Sequence, residues 1–158
     1  MKNSGKALCR LVTAALFLLP LACTAQNSDP LVGSWNLTGS QNGTTIVIAV
    51  MNFHAGGTTT EFDTSGTNSS ASPGESIDLG VWKKTGNRSY AFKEQNYIYD
   101  SSGNLSQLAV GVCNLTLATS LNTFSGNCTL NFYGCSLAQC PGSLENGPIG
   151  YQITAKRF

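Results

Sequence analysis

His54 is the only histidine of the 158-residue chain, and it stands at a strand end before Ala55-Gly56-Gly57. Nothing near it in sequence completes a catalytic triad. Neither a Gly-x-Ser-x-Gly elbow nor a His-Glu-x-x-His pair occurs, so the usual machinery of acyl transfer and zinc-dependent hydrolysis is missing. Glu61 and Asp63, at the start of a long loop and followed by Ser65-Gly66, offer oxygen ligands to a calcium ion. Their spacing lacks the ligand count of a known calcium loop, and a solvated strand end explains them as well. Glu94 is more informative. Tyr90, Phe92, Glu94, Asn96 and Ile98 share one face, while Ser89, Ala91, Lys93 and Gln95 share the other. If Tyr90 and Phe92 point inward, Glu94 and Asn96 do too, and a buried carboxylate is costly unless it is paired, hydrogen-bonded or protonated. Such a carboxylate, its pKa raised, is a candidate general base for an isomerase or cyclase. The competing reading is a bulge or an open mouth where Glu94 meets water, because a one-residue slip swaps the faces.

Small residues nearby leave space. Gln107, Ala109 and Gly111 share the face of Cys113 on the following strand. Together they suggest a cavity walled by Trp35, Phe53, Trp82, Tyr90 and Phe92, with Glu94, Asn96 and Gln107 as polar fixtures, suited to a small amphipathic molecule. On the opposite face Leu108, Val110 and Val112 form an apolar stripe of the kind that marks oligomer contacts, unless a bulge near Gly111 removes it.

Four cysteines organise the C-terminal half. Around the turn at Thr119-Ser120-Leu121-Asn122, alternation places Cys113, Leu115 and Leu117 on one face and Phe124, Cys128, Leu130 and Phe132 on the facing one. A hairpin closed by that turn sets Leu117 opposite Phe124 and Cys113 opposite Cys128. Directly opposed β-carbons lie about 4.5–5.5 Å apart, near disulfide geometry. Cys113–Cys128 is therefore expected as a cross-strand bridge and Cys135–Cys140 as a clasp on the next loop. Zinc is the competing use of these thiols, but no Cys-x-x-Cys spacing is present.

The chain opens with Lys2, Lys6 and Arg10, an apolar run from Leu11 to Ala22, and the small residues Cys23-Thr24-Ala25. This is the pattern of a secretory signal over residues 1–25, too short in its apolar part to span a bilayer. Leu19-Pro20-Leu21-Ala22-Cys23 also resembles a lipobox, which makes lipid anchoring at Cys23 the alternative to a freely exported protein. Without those residues, six basic side chains of the nine remain against eight acids, a net charge of −2. No basic patch is available to neutralise phosphates, which argues against a nucleic-acid partner. An even number of remaining cysteines suits an oxidising compartment. No cofactor motif and no metal site emerge.

After a short linker at 26–31, residues 32–158 read as one all-β domain. Strands are expected at Val32–Gly39, Thr44–Phe53, Gly57–Asp63, Leu79–Lys84, Arg88–Tyr97, Asn104–Ala118, Thr123–Tyr133 and Ile149–Arg157, joined by Gly- and Asn-rich turns. Two connections are long, Thr64–Asp78 and the clasped Gly134–Pro148. Mostly short sequential links favour an eight-stranded antiparallel up-and-down β-barrel over a β-sandwich, and closure removes exposed edges that a chain with 11% charged residues cannot guard.

Gly33-Ser34-Trp35 at the first strand and Arg157 on the last resemble the Gly-x-Trp signature and C-terminal basic residue of the lipocalin or calycin superfamily. Asn52–Thr58 and Gly80–Gly86 likewise resemble segments of small secreted bacterial lipocalin-like proteins. The resemblance implies a barrel with Trp35 closing one end beneath Arg157. The chain departs from the pattern in having no visible C-terminal helix and in its clasped loop. Barrel and resemblance together imply a non-enzymatic protein holding a small apolar or amphipathic ligand. The alternatives are an interaction module presenting Leu137 on the stiffened Gly134–Pro148 loop, and a small barrel isomerase or cyclase using Glu94.

Overall fold

The computed structural model describes residues 29–63 and 74–158. The secretory segment, Cys23 and residues 64–73 of the long loop lie outside the described residues. Eight strands follow one another: β1 (Gly33–Gln41), β2 (Thr44–Phe53), β3 (Thr58–Asp63), β4 (Asp78–Lys84), β5 (Ser89–Tyr99), β6 (Leu105–Leu117), β7 (Thr123–Gly134) and β8 (Leu144–Arg157). Each pairs antiparallel with the next, and β8 returns to β1 to close the barrel. No helix occurs among the described residues. The up-and-down barrel expected from the short connections is thus the observed architecture, and it is compatible with a lipocalin-like fold.

Alternation of side chains decides what fills the barrel. On β5, Tyr90, Phe92, Glu94, Asn96 and Ile98 are buried while Lys93, Gln95 and Tyr97 are exposed. β6 and β7 bury Cys113, Leu115 and Leu117 against Phe124 and Cys128. Their register pairs Leu117 with Phe124 and Cys113 with Cys128, and the latter two form a disulfide with Cα atoms 4.1 Å apart. The pairing runs unbroken through Gly111, so no bulge lies there.

The end of the barrel where β1 starts is packed solid. Trp35, fully buried, lies 5.0 Å from Phe124, and Phe53 makes edge contacts with Trp82, Phe92 and Phe124. The Arg157 guanidinium stacks over the Trp35 ring at 4.2 Å and donates to the carbonyls of Val32 (2.9 Å) and Pro30. A side chain at Gly33 would strike that guanidinium, and its φ of 135° is one that other residues rarely adopt. Of the linker expected at 26–31, the described part is fastened down. Leu31 is buried and its carbonyl accepts from Trp35 Nε1 at 2.9 Å, while Asp29 accepts from Tyr90 at 2.7 Å and pairs with Lys84 at 3.0 Å.

Two expectations need correction. The loop expected over Gly134–Pro148 is shorter, because β8 begins at Leu144 and pairs Tyr133↔Leu144 and Phe132↔Asn146. Gly147 and Pro148 read as loop chemistry, yet they sit beside register shifts in the ladder, the place where a strand tolerates proline. The stripe Leu108, Val110, Val112 is also interrupted. Leu108 is buried between its ladder partners Tyr97 and Tyr133, leaving Val112 as the exposed member.

The Cys135–Cys140 bridge closes the remaining loop, with Cys135 buried and its backbone N–H donating to Ser106. Replacing both cysteines by serine is expected to lower stability by about 2 kcal/mol, the chain-entropy value for so short a loop. Urea unfolding of the double variant checks this. The far-ultraviolet spectrum should stay that of the parent, since no ladder depends on the clasp.

Candidate functional site

At the end away from Trp35 the barrel is hollow. A cavity of about 180 Å³ opens there, walled by apolar residues including Leu37, Phe92, Ile98, Leu130, Phe132 and Ile153. The Cys113–Cys128 bridge lies one inward step deeper than Gly111 and Leu130, which line the cavity. Five carboxyl groups also line it: Glu61, Asp63, Glu75, Asp78 and Glu94. Among the described residues, no Lys, Arg or His lines it.

Register explains how acids distant in sequence meet. Glu61 on β3 pairs directly with Asp78, the first residue of β4. Like charges directly opposite on a sheet repel. Glu94 lies one strand further on, opposite Gly80 on one side and Gly111 on the other. Those glycines make the room it needs. A β-carbon at 80 would collide with Thr59 Oγ1, and one at 111 would sit 3.2 Å from Glu94 Oε1.

Burial and mutual repulsion hold these groups protonated far above the usual carboxylate range. Glu94 is pushed up to about 8, first by burial and then by the charges of Asp78 and Asp63. Burial, Glu94, Asp78 and Asp63 push Glu61 well up in the same way, and protonated Glu61 donates a hydrogen bond to Glu94. Asp78 rises to about 7 through burial and its neighbours Asp63 and Glu75. The Tyr151 hydroxyl, buried beside these acids, is raised as well. Glu94 Oε2 and Thr59 Oγ1 are buried with no hydrogen-bond partner among the described residues.

The residues singled out as cavity lining divide by height. Phe92, Glu94 and Asn96 line the cavity, and Asn96 donates to Glu75 at 3.2 Å. Trp35, Phe53, Trp82 and Tyr90 instead pack on one another and on Phe124 at the closed end. Gln107 donates to Glu145 at 2.7 Å and lies outside the lining. Alternation distinguishes inside from outside but not top from bottom. Asp78 and Glu75 join the lining without any motif in the sequence to mark them. The parity of Asp78 with Gly80 and Trp82 on β4 is the signal that places it inside.

Elsewhere, His54 is exposed in the β2–β3 turn, within 3.2 Å of Thr60 Oγ1, and its carbonyl accepts from Trp82 Nε1. Leu137 stands 98% exposed on the clasped loop. Fold and site therefore define a disulfide-bonded, closed eight-stranded β-barrel with one filled end and one acid-lined hollow end. No protein-family model matches the chain, and neither curated proteins nor solved structures yield a match to it.

Proposed function

We propose that the protein is an exported, non-enzymatic binding protein that takes a small amphipathic molecule into the open half of its barrel. The observation that carries this reading is the cavity itself. At about 180 Å³ it is slightly larger than the roughly 150 Å³ engineered void that holds benzene, so it suits a ligand of one or two rings. Phe92, Leu130 and Ile153 receive the apolar body, and the carboxyl groups and Asn96 receive a polar end that donates hydrogen bonds. Export is supported by the two disulfides, which suit an oxidising compartment, and by the signal-like segment. No helix among the described residues is long and apolar enough to cross a membrane. Anchoring at Cys23 remains the alternative to free release.

Native mass spectrometry of the protein purified from its own source tests the proposal. A mass excess lost on denaturation is the expected result, and it gives the mass of the ligand. In parallel, 1-naphthol serves as a neutral two-ring probe followed by its fluorescence. Ala109 is buried against the cavity, and Ala109→Leu adds three carbons to it. This substitution should weaken the probe at least about ten-fold, or roughly 1.4 kcal/mol, while leaving the fold intact. No mass excess together with no probe binding to the parent protein would overturn the reading.

A further inference from the structure

The carboxyl groups at the mouth have a second property besides their charge, which is convergence. One oxygen from each of Glu61, Asp63 and Asp78 lies within 4.8 Å of the others. Ca²⁺, which takes six to eight oxygens at about 2.3–2.6 Å in flexible geometry, is accommodated by such a grouping, whereas Mg²⁺ demands a near-ideal octahedron at about 2.0–2.1 Å. The donor set is all oxygen, with no imidazole or thiolate, which selects a hard cation.

A second observation points the same way. Glu94 is only 9% exposed, lines the same cavity and accepts from Glu61, yet its Oε2 has no partner among the described residues. A buried carboxyl oxygen left without a hydrogen-bond partner is expensive, and among the described residues no cationic side chain lines the cavity to offset the charge it takes on when ionised. A surface cluster of acids would be stabilised by water. Here Glu61 is buried and Asp63 and Asp78 are half-buried in the cavity wall, with Glu61 and Asp78 directly opposed across a ladder.

We propose that the barrel mouth is a calcium site, with Glu61, Asp63 and Asp78 as the ligands and Glu94 behind them supplying a further oxygen to the ion or to a water it holds. Three carboxylates and several waters complete a six- to eight-coordinate shell, typical of extracellular modules that bind calcium with Kd of about 0.1–1 mM. Binding would tie β3 to β4 at their open ends and set the polar rim of the cavity. The inference rests on the carboxylates and not on the organic ligand, so either can fail while the other stands.

The test uses the purified full protein, stripped with a chelator, and two readouts. Terbium, with Tyr151 in the cavity wall as its sensitiser, should luminesce on binding and be displaced by Ca²⁺. Calcium should also raise the thermal midpoint, saturably and more than Mg²⁺ does. In Asp78→Asn and Glu61→Gln the calcium affinity should fall at least about ten-fold. These near-isosteric changes relieve repulsion, so the variants are expected to fold. Absence of both terbium emission and a calcium-dependent shift would overturn the site. So would an equal shift with NaCl at matched ionic strength, or one undiminished in both variants, because either marks general charge screening.

Discussion

Glu94→Gln is expected to stabilise the chelator-treated protein by about 2–4 kcal/mol near pH 8 and by almost nothing near pH 4. The folded state holds the Glu94 proton up to about 8, whereas an unfolded glutamate releases it near roughly 4.3. Between those values the folded chain binds more protons than the unfolded one, so the stability of the parent falls as pH rises. The slope is about 1.4 kcal/mol per pH unit for one such group. Glutamine carries no charge to desolvate, and its amide oxygen can accept from Glu61 as Glu94 does. Urea unfolding at both pH values, always in chelator, provides the measurement. The chelator matters because a bound divalent cation offsets the same repulsion. A variant no more stable than the parent near pH 8 would show that Glu94 is solvated rather than trapped.

At the other end the expected effect has the opposite sign. Trp35→Ala should lower stability by about 3–5 kcal/mol, the range for removing a large aromatic from a core. Trp35 is fully buried, packs on Phe124, donates to the Leu31 carbonyl and lies under Arg157. Removing it leaves a void, takes the indole donor from the Leu31 carbonyl and strips Arg157 of its stacking partner. Trp35→Phe should recover much of the loss but not the indole hydrogen bond. Chemical denaturation of the two variants checks the order. Since the cavity lies at the far end, the folded fraction should keep the parent's probe affinity. A loss below about 1 kcal/mol for Trp35→Ala would mean that the closed end contributes little to holding the barrel together.

How far the sequence alone carries can be judged from these same residues. Strict alternation on β6 and β7, with a turn of known length between them, places Cys113 opposite Cys128, and the structure joins them. The same logic sets Glu94 and Asn96 inside. It says nothing about depth, because every second residue of a strand faces inward along the whole barrel. Trp35, Phe53, Trp82 and Tyr90 therefore look like cavity walls in sequence and turn out to be the plug. The acidic cluster was hidden for a different reason. Glu61 and Asp78 are separated by a long Ser- and Gly-rich connection whose length fixes no register, so their opposition is visible only once β3 and β4 are paired. Pro148 misled in turn, because a proline that reads as loop sits beside an irregular stretch of ladder.

The lacing of the barrel is uneven around its circumference. β6 and β7 are paired from Gln107↔Gly134 to Leu117↔Phe124 and stapled by a disulfide, whereas among the described residues β3 and β4 are joined from Thr58↔Val81 to Glu61↔Asp78. A closed ring parts first at its thinnest seam, and this seam ends in two opposed carboxyl groups at the mouth of the cavity. Local opening is governed by few backbone bonds and little buried apolar contact. Local opening is therefore expected first at the cavity mouth, and hydrogen exchange should be faster in β3 and β4 than in β6 and β7, with the aromatic plug undisturbed.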